Sequence, residues 1–355
     1  MILPRFVLFA TVLASNFSLQ AVEFNESTLA LLKSPRLADR QRFFSAMPTL
    51  SIEERQLAVA QLRESRDYWR QPIAKLVTQA TAGQNAWSSF LKSYNEWKSA
   101  VTPLMESIRT DYHKDPKKIA ELTKDFERTE KLRERARRAA GPAQRGEFAK
   151  LLTACQTLHE IEKWIDNPSG AKIIHRATLA DTLAAAVSGV SQDVTNVKAL
   201  AELAAMDLRL ADVHKLNASC SWAKPDQIRF AAILNEKRAV VNLPPLRLDE
   251  KLCQASTNHS LEMVALKFFS HESPTPENKT FGDRAKKAGF DGFASGENIF
   301  AGSRSPEAAY GGWWASDGHR HIMFMDGVNT LGVGNGGTDH WTMNPGNKSW
   351  PVAAL

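Results

Sequence analysis

The chain has 355 residues, 43% hydrophobic and 24% charged, with a formal net charge of +6; this is globular composition with room for two domains, and it excludes collagenous, disordered and polytopic membrane chains. From Asp226 onward 13 Lys/Arg stand against 14 Asp/Glu, so the positive excess belongs to the N-terminal region. No aromatic-studded basic platform accompanies it, which argues against a nucleic-acid partner.

Residues 1–21 have the layout of a signal peptide: Arg5, an apolar run from Phe6 to Ala14, then a polar stretch ending in the small residue Ala21. The run is too short for a comfortable permanent span. Export to periplasm, cell envelope or medium is therefore expected. The three cysteines Cys155, Cys220 and Cys253 leave at least one thiol over. The alternatives are a Cys220 to Cys253 bridge or three buried free thiols.

Residues 22–220 predict an all-α helical domain of unknown role. Fourteen of the 19 glycines fall between Gly282 and Gly346, and the scarcity before them favours long helices. Ser51 and Glu54 form a capping-box pattern opening a helix with Leu57 and Leu62 inward. Trp87, Phe90, Tyr94, Trp97, Val101, Leu104 and Ile108 recur at alternating intervals of three and four, the seam of a helix pressed on a partner. Pro103 should kink or divide that helix. Ile119, Leu122, Phe126 and Leu132 mark the next one, ended by Gly141 and Pro142. Lys131, Arg133, Arg135, Arg137, Arg138 and Arg145 form a basic cluster suited to an anionic envelope surface, interleaved with Glu127, Glu130 and Glu134 at intervals that favour pairing along the helix. Residues 171–214 suggest one or two further helices.

Residues 226–345 predict an α+β unit. Pro225 opens a helix carrying Ile228, Ala231, Leu234 and Ala239, and Asn242 to Pro245 closes it. A second helix runs from Asp249 through Met263 towards Leu266. A short helix follows around Arg284 to Gly289, and another starts at Ser305 and Pro306 and runs into Ser316 to Arg320. Strand candidates are Leu331 to Gly334 and Trp341 to Met343.

These segments carry, in order, Phe268-Phe269-Ser270-His271, Asp283-Arg284 with Gly289-Phe290, Gly296-Glu297-Asn298-Ile299, Trp313 with Ser316 and Gly318-His319-Arg320, and Leu331-Gly332-Val333-Gly334. Leu234-Asn235 with Arg238, Leu243 to Leu246, and His259 to Met263 precede them. In this order they resemble the bacterial secreted branch of the CAP superfamily, also called SCP or PR-1-like. The resemblance implies a CAP-like α-β-α sandwich with a central antiparallel sheet. It also implies a cavity lined by two histidines and two acidic residues. Position by position these are His271, Glu297 and His319; the fourth position holds Ser316 where eukaryotic members have Glu, with Asp317 as a substitute if it turns inward.

Two imidazoles and a carboxylate would suit Zn2+ or another divalent cation, with His271, His319 and Glu297 as the metal set, or with Glu297 orienting a histidine. The expected function is a non-catalytic binding module for a divalent metal, a lipid or a cell-envelope ligand. The alternative is a hydrolase, metal-dependent or working through Glu297 and a histidine as acid and base. Peripheral membrane or envelope contact would fall to the helical domain. Asn298, Ser316 and Arg320 are expected to brace the cavity, and His259, His321 and His340 to be structural or exposed.

Overall fold

The computed structural model describes residues 31–34, 37–81, 84–112, 115–139, 142–166 and 194–350. The expected signal peptide and residues 171–193 lie outside them. In chain order the first helices are α1 (Leu37–Ala46), α2 (Ile52–Thr81), α3 (Gln84–Arg109), α4 (Pro116–Ala139), α5 (Pro142–Asp166) and α6 (Val194–Ala218). The chain divides into two compact units: Met1–Ser88 with Ala140–Ala205 and Pro351–Leu355, and Ser89–Ala139 with Met206–Trp350. The break expected near residue 220 is therefore replaced by an interleaved division.

In the first unit α2 packs along α5. The capping box forms as expected: the Ser51 amide donates to Glu54 Oε2 at 2.8 Å and the Glu54 amide to Ser51 Oγ at 3.2 Å. Ala58, Val59, Leu62 and Trp69 are buried, whereas Leu57 is 53% exposed. The inward stripe follows Ala58 and Leu62, and Leu57 falls outside its arc. Cys155 is buried as a free thiol, pushed up to about 12 by desolvation.

The second unit is organised by a sheet. It contains α7 (Pro225–Val240), β1 (Arg247–Leu248), α8 (Glu250–Ala265), α9 (Phe281–Lys287), β2 (Phe293–Ala294), β3 (Asn298–Ala301), α10 (Pro306–Trp314), α11 (Asp317–Met323), β4 (Thr330–Gly334) and β5 (His340–Asn347). β4 pairs antiparallel with β5, whose other edge carries β3 and β2 in succession. β1 pairs parallel with β4, so the sheet is not wholly antiparallel. Side chains alternate across it. Leu331, Val333, Trp341 and Met343 join Phe230, Leu234 and Trp313 in one core. The opposite face meets α8, where Ser256 Oγ donates to Asn344 Oδ1 and Ser260 Oγ to Thr342 Oγ1, both at 2.9 Å. A Cβ on Gly332 would lie 2.5 Å from the Leu252 carbonyl oxygen, so glycine is what lets β4 lie flush against α8.

Two buried polar side chains fasten the turn after α7. Asn235 receives the Leu246 amide at 2.7 Å and donates to the Leu246 carbonyl at 2.9 Å. Arg238, fully buried, donates to the carbonyls of Pro244, Met323 and Met325. Burial pushes its guanidinium down to about 10, with Asp326 opposing.

Helices α3 and α4 enter the same core through Leu104, Met105, Ile108, Leu122 and Phe126. Trp314 packs edge-on against Phe126 at 5.1 Å and donates to Thr123 Oγ1 at 2.9 Å. Trp97 donates to the Val240 carbonyl at 2.8 Å. Pro103 does not divide α3; it sits on the exposed side while Trp97, Leu104 and Ile108 are held in the core. Much of the expected basic cluster is paired: Arg133 and Arg137 with Asp207 at 2.6 and 2.8 Å, Arg138 with Glu134 at 3.2 Å and Arg135 with Glu96 at 3.1 Å. Cys220 and Cys253 are free thiols, so the alternative of a bridge is not realised.

Candidate functional site

His271 lies in the turn beyond α8, Glu297 immediately before β3 and His319 on α11. Asp249 caps α8 by accepting from the Leu252 amide at 2.9 Å. Beyond its other end, Lys267 adopts a φ of 56° and reverses the chain into Phe268 to His271. Thr280 and Asp283 form a capping box that starts α9 and projects Arg284 inward.

These segments converge on the Glu297 carboxylate, whose side chain is 2% exposed. Its Oε2 accepts from Arg284 Nη2 at 2.5 Å and from Asn344 Nδ2 at 3.3 Å. Its Oε1 lies 3.1 Å from His271 Nδ1 and 3.8 Å from His259 Nε2. Burial pushes the Glu297 carboxyl up, but the His271 hydrogen bond, the Arg284 charge and the His259 imidazole outweigh it and hold it below the usual carboxylate range. Glu297 is thus ionised at neutral pH, and His271 Nδ1 carries the proton between them. That tautomer leaves His271 Nε2 as an acceptor on a side chain that is 52% exposed.

Arg284, 5% exposed, also donates to the carbonyls of Asn278, Lys279 and His271. It therefore neutralises Glu297 and ties both loops around it. His259, fully buried on α8, contacts the Ser270 carbonyl through Nε2 at 3.0 Å, so this nitrogen bears the hydrogen. Its Nδ1 is 3.8 Å from Glu262 Oε2. Burial holds the imidazole below the ordinary histidine value, Glu297 opposing and Arg284 reinforcing.

His271 and Glu297 thus meet directly. His319 is joined to them through its backbone: Asn298 Nδ2 donates to the His319 carbonyl at 3.0 Å. Arg320 donates to the Trp314 carbonyl at 2.8 Å and to Asp317. Asp317 is committed to Arg320, the Asp111 side chain and the Tyr112 backbone, which hold its carboxyl low against burial. Ser316 caps α11 without a side-chain hydrogen bond. Among the described residues no hydrogen bond or ion pair joins Ser316 or Asp317 to His271 or Glu297. Arg284 and His259 were missed as site residues. The signals available for them were the Asp283-Arg284 pair behind a Thr-x-x-Asp cap, and a histidine on an otherwise apolar helix face.

The arrangement does not fit Glu297 as a metal ligand, since both of its oxygens are taken and ligation would break the Arg284 pair. It stands behind His271 as hydrogen-bond acceptor. Among the described residues no group of three or more His, Cys, Asp or Glu is placed to hold a metal ion.

Residues 232–344 match the family model described as CAP, cysteine-rich secretory protein family. With the α+β fold and the convergence on Glu297, this part of the chain is a CAP domain. A stretch of 106 residues is 31% identical to the uncharacterized protein YkwD of Bacillus subtilis (strain 168), covering 30% of this chain and 40% of that one. A solved extracellular protein containing an SCP domain from Bacillus anthracis str. Ames is 32% identical, with a TM-score of 0.32, over 36% of this chain and 44% of that one. The chain spans less than half the length of either relative. Among the described residues no helix is long and apolar enough to cross a membrane.

Proposed function

We propose that the CAP domain is an exported, non-catalytic binding module whose ligand is an amphiphile from a lipid or cell-envelope surface. The observation that carries this reading is the setting of His271. Its exposed imidazole, fixed from behind by a neutralised carboxylate, follows directly on a segment that presents Leu266 (52% exposed) and Phe269 (54%), with Leu261 and Val264 exposed on the preceding helix. Such a rim suits an apolar chain, and an imidazole of fixed tautomer suits a polar headgroup. Export of the relative described as extracellular agrees with the leader layout. Native mass spectrometry of the full chain mixed with vesicles of phosphatidylglycerol and phosphatidylethanolamine should show a lipid adduct, reduced by His271→Ala and by Phe269→Ser. Bare protein at every lipid ratio would remove the reading.

A hydrolytic reading draws on one observation, the His271 Nδ1 to Glu297 pair, which is the support a general base receives. Against it, an ionised Glu297 paired with Arg284 has no proton to donate, and among the described residues neither the Ser270 nor the Ser316 hydroxyl is hydrogen-bonded to the His271 imidazole. Turnover in a broad esterase and peptidase screen, abolished by His271→Ala, would establish it. Calorimetric titration with Zn2+ tests the cation. Negligible heats in wild type, His271→Ala and His319→Ala alike are expected.

A further inference from the structure

Helices α3 and α4 enclose an open groove of about 900 Å3. One wall is a basic stripe on α4: Lys124, Arg128, Lys131 and Arg135 all line it. Their spacing of four, three and four places them within a narrow arc of the helix over about 16 Å of its length. Arg135 crosses to Glu96 of α3 at 3.1 Å and closes one end. Lys124, Arg128 and Lys131 are exposed, and none of their side chains makes a hydrogen bond or ion pair with a described residue. The α3 wall is built from small side chains, Ser99, Ala100, Pro103 and Ser107, and half-buried Leu132 adds apolar surface from α4, with Leu104 buried at the base.

We propose that this groove docks an amphipathic helix of a partner protein, its acidic edge on the Lys124, Arg128 and Lys131 stripe and its apolar edge on Ala100, Pro103 and Leu132. Small residues on one wall let a partner backbone approach closely, and the apolar floor gives a helix a surface that a purely ionic ligand would not use. Charge decides against a polyanion. Glu96, Asp125 and Glu127 also line the groove and would repel a uniformly negative chain, whereas a helix can meet both signs. This proposal is independent of the ligand at His271.

The probe is a fluorescent, about 18-residue helical peptide with Glu at i, i+4, i+7 and i+11 and Leu on the adjoining face. Fluorescence polarisation with the full chain should show saturable binding that weakens with salt. The Lys124→Glu/Arg128→Glu/Lys131→Glu variant should bind at least about tenfold more weakly and recover when the peptide glutamates are exchanged for lysine. Arg128→Glu alone should give a smaller loss and serves if the triple variant does not fold. No saturable binding, equal binding of a Gln-substituted peptide, or failure of the charge exchange overturns the proposal. Inorganic polyphosphate binding more tightly than the peptide and competing for the same residues overturns it too.

Discussion

At the scale of the residue, Glu297 is the centre on which the candidate site turns. A buried carboxylate is tolerated because Arg284, Asn344 and His271 satisfy it, and removing one partner exposes the cost. Arg284→Met should destabilise the chain by about 3–5 kcal/mol in urea unfolding, and adding Glu297→Gln should recover part of that loss, because the second change removes the orphaned charge. A null effect of Arg284→Met would show that the pair is not desolvated. His259 sets a separate acid sensitivity. Its folded-state pKa is depressed from 6.5, so the unfolded chain binds the extra proton first, and stability falls as pH drops through about 6.5 towards the folded value. Glu297, depressed from 4.5, contributes stability present above that value and lost below it. Melting temperatures of wild type and His259→Gln across pH 7.5 to 5 should therefore diverge from each other, the variant being the flatter.

At the scale of the element, packing against α8 explains why Leu331 to Gly334 contains two glycines. Gly332 meets the Leu252 backbone and Gly334 would place a Cβ against Thr257. Backbone atoms cannot swing aside as a side chain can, so Gly332→Ala should cost about 1–3 kcal/mol; an unchanged urea midpoint would refute the close approach. The capping patterns at Ser51, Asp249 and Thr280 mark helix starts legibly because a cap is a contact over three residues. Leu57 and Pro103 were misleading for the opposite reason. One is apolar yet lies off the buried stripe, and the other is a helix breaker that flanking core contacts override.

At the scale of the whole molecule, α3 and α4 share a core with the CAP domain, Leu104 and Ile108 from α3 and Phe126 from α4 joining Trp314 and Phe324. A fragment beginning at Asp226 should melt lower than the full chain and bind anilinonaphthalene sulfonate, the dye reporting newly bared apolar surface. A fragment as stable as the full chain and free of dye would refute the shared core. The interleaved division also explains why composition placed the boundary near residue 220: glycine content tracks the sheet and its turns, not the helices that pack on them.

The amino-acid sequence alone marked α2, α3, α4, α7 and α8, the Ser51 cap and the two principal strands, and the family's motif order named His271, Glu297 and His319 together. These rest on periodicities and short-range contacts, or on motifs carried intact. Only the tertiary structure decided that Glu297 is neutralised by Arg284 and backed by His259, that Asp317 belongs to Arg320 and Asp111, and that α3 and α4 complete the core. Each of those depends on which distant segments exclude water from one another, and a buried charge takes its role from partners that folding alone brings within reach.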